Sequence, residues 1–248
     1  MPDYASLSRL LPDTPLVILP ETLSTNADAR SILLSGGANG TLVVAGRQKG
    51  GRGRMGRAFC SEEGGLYMSI LLRGAYPAGQ LTTLCAVAVC RAAERLTGLK
   101  LDIKWVNDAL LDGKKVCGIL TEGSLSAETL QCAYAVVGIG INVSTAAFPS
   151  DLQKVASSLL LEAGRAPDRA ALIAAVCNRL EARFATMDSG DFLKESRRRS
   201  AVIGRKVTVL SDGRYTAVAR GIDDDGHLVV ETADGLKTLH AGEVSLRL

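Results

Sequence analysis

The sequence predicts an α+β protein with a mixed β-sheet, helices on one side of that sheet and a small β-barrel at the C-terminal end. One observation is a helical stripe between residues 80 and 96, where apolar side chains recur at three- and four-residue spacing among strand-like segments. The other is a change of pattern after residue 203, where short alternating runs are separated by Asp-Gly turns. We therefore expect two domains, residues 1–200 and residues 201–248.

The N-terminal part of the first domain combines two short strands with a helix. Residues 17–19 and 41–45 are apolar and rich in β-branched side chains, which predicts strands. Between them, Ser24 or Thr25 stands where an N-cap residue is favoured. This predicts a helix over residues 26–34 that ends at the glycines that follow it.

The middle of the chain predicts the rest of the sheet. One long helix is expected over residues 80–96, and Asp112-Gly113 between two apolar runs is a strong hairpin signal. The expected strands cover residues 66–72, 99–105, 109–111, 116–120 and 134–143.

The C-terminal part predicts further helices and then the barrel. The helices are expected over residues 152–162, 168–184 and 191–200, and the last of them is charged and expected to be exposed. Its basic run, Arg197 to Arg199, is interpreted as a solvated helix end. The barrel strands are expected at residues 207–209, 215–218, 227–230 and 237–239.

The composition favours a globular protein that binds neither nucleic acid nor a membrane. The chain has 248 residues, of which 47% are apolar, so a sizeable core can be buried. Its net charge of +3 creates no strong overall field. No apolar run approaches the roughly 20 residues that span a bilayer. The N-terminus lacks the basic-then-apolar order of a signal peptide, so we expect a cytoplasmic location.

Cysteine and histidine usage argues against a metal site built from protein ligands. The 6 cysteines are scattered through apolar segments without a C-x-x-C pair, which predicts reduced, hydrophobic side chains. Only 2 histidines are present, His227 and His240, both near the C-terminus. Zinc chemistry and a Ser-His-Asp triad are therefore disfavoured.

The most informative segment is the glycine- and arginine-rich stretch from Gln48 to Arg57. Glycines let the backbone approach a ligand closely, and Arg52, Arg54 and Arg57 bring positive charge suited to phosphate and carboxylate groups. The spacing Gly-x-Gly-x-x-Gly formally matches a dinucleotide fingerprint, but no helix follows it directly. Taken alone, the stretch is also compatible with a disordered basic loop that contacts RNA.

Three further motifs follow in order. They are Lys-Trp-Val-Asn-Asp at 104–108, then Lys115 with Gly118, and Gly-Ile-Gly-Ile-Asn at 138–142. Each has an ordinary structural explanation when taken alone. Lys115 is typical of a solvated turn, the acid and amide at 107–108 are turn formers, and the glycines at 138 and 140 are typical of a bulge or of tight packing.

Together, these motifs resemble the biotin–protein ligase family. That family has a Gly-Arg-Gly-Arg-x-Gly-Arg loop, a Lys-Trp-Pro-Asn-Asp segment, a lysine a few residues later and Gly-x-Gly-Ile-Asn. The resemblance covers about residues 20–145 by motif and extends to the ending at 242–247. It implies a class II synthetase-like catalytic domain with an SH3-like C-terminal barrel. It also implies formation of biotinyl-5′-AMP from biotin and ATP, followed by transfer to a lysine of a biotin carboxyl carrier protein.

The resemblance also implies the site residues. Lys115 is expected to bridge the biotin carboxylate and the α-phosphate, Arg54 to hold the phosphate, and Asp108 to act near the acceptor amine. Mg²⁺ is expected to be held mainly through the phosphates of ATP, with few protein ligands. The residues expected to bind biotin are Ser24, Thr25, Asn26, Gln48, Gly51, Arg52 and Gly118. The residues expected to bind ATP or AMP are Arg54, Arg57, Phe59, Asn107, Lys115, Gly140 and Asn142, the last reading the adenine edge.

The chain departs from the family pattern at three positions. Val106 replaces a usual proline, Phe59 stands where a tryptophan often stacks beside the adenine, and Met55 replaces a residue that is often basic. None removes a reacting group, but together they leave the nucleotide affinity open.

Some family members carry an N-terminal DNA-binding domain. About 20 residues precede the turn at Glu21, so we expect a monofunctional ligase without repressor function. A homodimer through sheet edges is plausible from the resemblance. The alternatives are a lipoate or octanoate ligase with the same chemistry, and a non-catalytic module in which the arginine loop and the barrel bind RNA.

Overall fold

The computed structural model describes residues 4, 6–125, 131–184, 190–210, 213–240 and 244–246. The helices are α1 (Leu7–Leu10), α2 (Thr25–Leu34), α3 (Ala78–Thr97), α4 (Leu159–Ala163), α5 (Arg169–Phe184) and α6 (Asp191–Arg198). The first seven strands are β1 (Leu16–Leu19), β2 (Leu42–Ala45), β3 (Gly65–Pro77), β4 (Asp102–Lys104), β5 (Asp108–Leu111), β6 (Lys114–Leu125) and β7 (Gln131–Asn142). The last five are β8 (Lys206–Val209), β9 (Tyr215–Ile222), β10 (Leu228–Thr232), β11 (Gly235–Leu239) and β12 (Val244–Leu246).

The first domain is built on a seven-stranded mixed sheet, as predicted. Its strand order is β1-β2-β3-β7-β6-β5-β4, in which β1 and β2 are parallel and the other neighbours are antiparallel. The predicted hairpin joins β5 to β6, with Asp112 and Gly113 both at positive φ in its turn. The long central strands β3, β6 and β7 form the platform on which the site described below is built.

Helices cover both faces of this sheet, which corrects the expectation of helices on one side. Leu42 and Val44 of β2 belong to the main core with residues of α3 and α5, whereas Val43 packs with Ala29 of α2. Because successive strand side chains point to opposite faces, α2 lies on the face away from α3. All four residues of β2 are buried, so this strand needs cover on both sides.

The helix predicted over residues 152–162 is shorter than expected, because part of this segment pairs with β6 instead. The backbone of Lys115 donates to Val155 O at 2.8 Å and accepts from Ser157 N at 3.0 Å. These two bonds hold residues 155–157 extended beside β6. The helix begins only after Ser158, whose Oγ accepts from Leu161 N at 3.2 Å.

The expectation of an exposed, solvated helix at 191–200 is wrong for one face of α6, whereas Lys194 and Arg198 on the other face are exposed. Phe192 and Leu193 of α6 are buried against the core, and Arg199 at its end is only 8% exposed. Arg199 donates through Nε to Glu195 Oε1 at 2.6 Å and also pairs with Glu94 of α3. Charged residues can be buried here because those of α3 and those at the end of α6 neutralise one another.

This ion cluster predicts a specific acid sensitivity. Burial raises the pKa of Glu195, but hydrogen bonds from Arg91, Arg199 and Arg198 outweigh it and lower the pKa from 4.5 to about 2. A lowered folded-state pKa stabilises the protein above the unfolded value, and this stabilisation is lost as the pH falls from about 4.5 toward 2. We expect the native free energy of unfolding to fall by about 3 kcal/mol more than that of Glu195→Gln across this window.

Urea unfolding at several pH values measures this difference. Glu231→Gln, which removes an exposed carboxylate paired with Arg220, is the matched control and is expected to follow the native protein. Parallel pH curves for the native protein and the Glu195→Gln variant would show that the cluster contributes nothing in acid.

The small C-terminal β-domain shares its core with the first domain. Its antiparallel sheet has the order β11-β10-β9-β8-β12. Trp105, from the first domain, belongs to the same buried cluster as Val202, Val207 and Leu228, and its Nε1 donates to Gly226 O at 3.0 Å. The boundary at residue 200 stays a prediction. Among the described residues, no helix is both long and apolar enough to cross a membrane.

Candidate active site

A cavity of about 130 Å³ lies over the central strands β3, β6 and β7. The start of α2 closes one end, the arginine-rich loop covers it, and Trp105 and the β5–β6 hairpin close the other end. The lining includes every predicted site residue except Gly51 and Asn142: Ser24, Thr25, Asn26, Gln48, Arg52, Arg54, Arg57, Phe59, Asn107, Asp108, Lys115, Gly118 and Gly140.

The α2 end of the cavity is polar, neutral and tightly hydrogen-bonded. Ser24 occupies the N-cap position, but its side chain makes no capping hydrogen bond. It lines the cavity instead. Gln48 takes over part of the capping, because its Oε1 accepts from Thr25 N at 2.8 Å. Asn26 is buried behind it and accepts from Ser69 Oγ at 2.6 Å. This end suits an uncharged ligand group with several hydrogen-bonding atoms.

The arginine-rich loop is a tight ribbon rather than a disordered tract. Phe59 N donates to Gly51 O at 2.9 Å, and Gly53 N donates to Arg57 O at 2.7 Å. Met55, at the tip, has a φ of 56° and is 70% exposed, so this departure from the family pattern lies away from the cavity. The ribbon carries its arginines toward the cavity.

The floor of the cavity is a pair of glycines. Gly118 of β6 and Gly140 of β7 are direct partners in the sheet, without a register shift, so the pair marks close packing rather than a bulge. The ring of Phe59 lies on them: a Cβ at Gly118 would be 2.9 Å from its Cε2, and one at Gly140 would be 2.5 Å from its Cε1. Any side chain at these two positions would displace the Phe59 ring.

The positive charge of the site centres on Lys115. Its Nζ is 2.6 Å from Asp108 Oδ1 and 5.7 Å from the centre of the Phe59 ring, and its side chain is 34% exposed. Arg54 approaches from the loop and donates through Nη1 to Asn107 Oδ1 at 3.3 Å. Lys115 is therefore a fixed cation inside a cleft, which excludes the interpretation as a solvated turn lysine.

The structure places Gly51 and Asn142 behind the cavity lining. A Cβ at Gly51 would lie 2.6 Å from Phe59 O, so this glycine allows the two arms of the loop to pack. Asn142 is buried and its Nδ2 donates to Ser157 O at 2.9 Å and to Lys115 O at 3.4 Å. In this arrangement Asn142 supports the backbone of Lys115, and its contact with adenine stays a prediction.

Several lining residues were not assigned a role from the sequence. Lys104, Trp105 and Gly138 belong to the motifs at 104–108 and 138–142, so their position in the sequence could have indicated a place in the site. No motif includes the apolar residues Met68, Ile119 and Leu120. They line the cavity only because of the sheet face on which their side chains lie.

Two family models match this chain. The model of the biotin/lipoate A/B protein ligase family matches residues 19–142, and the model of the biotin protein ligase C-terminal domain matches residues 202–247. The first match spans the polar end, the arginine-rich loop, Lys115 and the glycine floor.

Individual proteins match over most of their length. The chain is 38% identical to the bifunctional ligase/repressor of Bacillus subtilis over 234 residues, which is 90% of this chain and 71% of that protein. It is 34% identical to the biotin–[acetyl-CoA-carboxylase] ligase of Paracoccus denitrificans, covering 92% of this chain and 98% of that one. Its fold matches the biotin protein ligase of Aquifex aeolicus in complex with biotin and ATP, with a TM-score of 0.81 and 32% identity, covering 94% and 98% of the two chains.

Proposed function

Since this chain belongs to the biotin/lipoate A/B protein ligase family, we propose that it joins biotin to a lysine of a biotin carboxyl carrier protein at the expense of ATP. The observation that carries the proposal is a single cavity with two different ends. A neutral, hydrogen-bonding end at α2 leads over a glycine floor to a cationic end at Lys115 and Arg54. A neutral ring system with a carboxylate tail matches this division.

The first step of the proposed reaction forms an acyl-adenylate. The biotin carboxylate attacks the α-phosphorus of ATP, the bond to the β-phosphate oxygen breaks, and pyrophosphate leaves. The nucleophile belongs to the substrate, so the protein has to supply position and positive charge. Lys115 bridges the carboxylate and the α-phosphate, and Arg54 and Arg52 hold the phosphate under the loop. The loop also keeps water from the mixed anhydride.

The second step transfers the acyl group. The acceptor lysine amine attacks the carbonyl carbon of biotinyl-5′-AMP, an amide bond forms and AMP leaves. We expect Asp108 to accept the proton that the amine loses, and Lys115 to stabilise the negative charge that develops on the carbonyl oxygen. Their 2.6 Å separation keeps both groups at one point of the cavity.

The residues at the cationic end fit a magnesium ion that arrives with ATP. Among the described residues that line the cavity, Asp108 is the one carboxylate. Mg²⁺ is commonly held by substrate phosphates, water and one or two carboxylates, and it neutralises phosphate charge when bound. Asp108 would be its protein ligand while ATP is bound, before the acceptor amine reacts.

Three narrower expectations stay part of the proposal. Phe59, Asn107 and Gly140 are expected at the nucleotide, supported by their shared position in the cavity lining. A cytoplasmic location is supported by the use of ATP. A homodimer through sheet edges is supported by β1, an edge strand whose Ile18 is 42% exposed.

The lipoate-type alternative makes a different demand on the α2 end. Lipoate and octanoate have no nitrogen or oxygen atom away from the carboxylate, so they would cover the polar side chains of Thr25, Asn26 and Gln48 without forming hydrogen bonds to them. The biotin assignment is therefore favoured within the same chemistry.

ATP–pyrophosphate exchange with the purified protein tests the proposal directly. We expect exchange that requires biotin and does not occur with lipoate, with octanoate or without an acid. Exchange with lipoate or octanoate in place of biotin would move the protein to the other branch. No exchange with any acid, together with salt-dependent RNA binding, would support the binding module.

A further inference from the structure

Glu122 lies on β6, just outside the cavity, against the side-chain amide of Asn26. Asn26 Nδ2 donates to Glu122 Oε2 at 2.7 Å and to Leu120 O at 3.3 Å. An ionised carboxylate and a carbonyl can only accept hydrogen bonds. Both N–H groups of Asn26 are therefore used on this side, and its Oδ1 has to face the other way, toward Ser69.

Ser69 passes this orientation on to Thr25. It is fully buried on β3, and its Oγ is 2.6 Å from Asn26 Oδ1 and 2.8 Å from Thr25 Oγ1. Because Asn26 presents an oxygen here, the single hydroxyl proton of Ser69 goes to Asn26 Oδ1. Thr25 Oγ1 then gives its own proton to Ser69 Oγ or to Gln48 Oε1, which is 3.1 Å away.

The result is a cavity wall that accepts hydrogen bonds. Thr25 and Asn26 both line the cavity, and the protons of their polar side chains are directed into the protein. What remains for a ligand at these two side chains is lone pairs on Thr25 Oγ1 and Asn26 Oδ1. Gly138 leaves room for this arrangement, because a Cβ there would overlap Asn26 Oδ1.

We propose that Glu122 is a positioning residue that fixes the Asn26 amide and so makes this wall a hydrogen-bond acceptor, which selects an acid whose ring carries N–H groups. The inference rests on the proposed function. The ureido ring of biotin has two N–H groups, whereas a dithiolane or an alkyl chain has none. Glu122 acts through Asn26 and touches no reacting atom.

Replacing the acceptor by a donor of similar length tests the orientation. Glu122→Lys can only donate, and its three N–H groups can reach Leu120 O as well as Asn26. The amine therefore takes the place of the Asn26 nitrogen at Leu120 O and attracts Asn26 Oδ1, so the nitrogen of Asn26 turns toward Ser69. We expect the KM for biotin in ATP–pyrophosphate exchange to rise about 10-fold or more, from the loss of hydrogen bonding at a buried group. The KM for ATP and kcat are expected to change little. Glu122→Gln keeps an acceptor oxygen and is expected to stay within about 3-fold of the native KM.

A double variant provides the rescue. In Asn26→Asp combined with Glu122→Lys, the introduced amine donates to one carboxylate oxygen, and the other oxygen again accepts from Ser69. We expect this pair to recover most of the biotin affinity that Glu122→Lys alone loses, measured also as the Kd by calorimetry without ATP. Glu181→Lys makes the same charge change at an exposed position of α5 and is expected to leave the KM for biotin unchanged.

The outcomes separate this inference from the proposed function. Absence of biotin-dependent exchange in the native protein would overturn the function itself. Exchange that is native-like in Glu122→Lys, or equally impaired in Glu122→Lys and Glu122→Gln, would overturn only the role of Glu122. If Glu122→Lys does not fold, the double variant still decides, because a stable double variant with weak biotin binding contradicts the proposed orientation.

Discussion

Lys115→Ala is expected to lower adenylate formation at least about 100-fold while leaving the fold intact, because one preorganised cation is lost where negative charge develops. Its Nζ lies in the cavity, 2.6 Å from Asp108 Oδ1. The fold should tolerate the change, since a partly exposed ion pair contributes about 0–1 kcal/mol to stability. Exchange kinetics and a thermal unfolding curve measure the two effects separately.

Lys114→Ala is the matched control for this experiment. Lys114 precedes Lys115 on the same strand but lies outside the cavity lining. We expect native exchange rates for this variant. Near-native exchange in Lys115→Ala would remove Lys115 from the reaction and leave Arg54 as the main cation.

The second large effect is expected at Trp105, where stability and ligand binding depend on the same side chain. Trp105 is 4% exposed, belongs to the core of the small domain and lines the cavity. Trp105→Ala should lower the free energy of unfolding by about 3–5 kcal/mol. It should also raise the KM values for biotin and ATP, because the cavity loses a wall. Circular dichroism in urea and exchange kinetics are the measurements.

Leu228→Ala separates the two consequences. Leu228 is fully buried in the same core but does not line the cavity, and its truncation should cost about 2–5 kcal/mol. We expect this variant to be destabilised, with native KM values under folding conditions. If both variants were equally impaired in ligand binding, loss of stability alone would explain the effect of Trp105→Ala.

The elements of this fold were predictable where a local pattern decides the structure. Three of them appear at the expected positions: the hairpin at Asp112-Gly113, the helix α2 and the helix α3. The errors arise where distant residues decide. Residues 155–157 pair with the backbone of Lys115, and α6 buries charged groups against Glu94 of α3, and neither partner is visible in a local window.

The same distinction holds for the site. Family motifs located the cations and the glycine floor, because these residues stand in short, ordered segments. Ser69 and Glu122 were missed, since they act through Asn26 from β3 and β6, which are separated by β7 in the sheet, and belong to no motif. Asn142 shows the converse: its place in a motif is clear, yet its contacts in the structure are with the backbone of Lys115 and Ser157.

Trp105 has a practical consequence for studies of this protein in solution. It is the only tryptophan in the sequence, and it lies where the small domain, the cavity and the carbonyl of Gly226 meet. Intrinsic emission excited at the red edge therefore arises from one indole at this junction and from nowhere else in the chain. An unfolding curve followed by that emission reports the loss of packing around Trp105, and the far-UV signal is needed to follow the sheet.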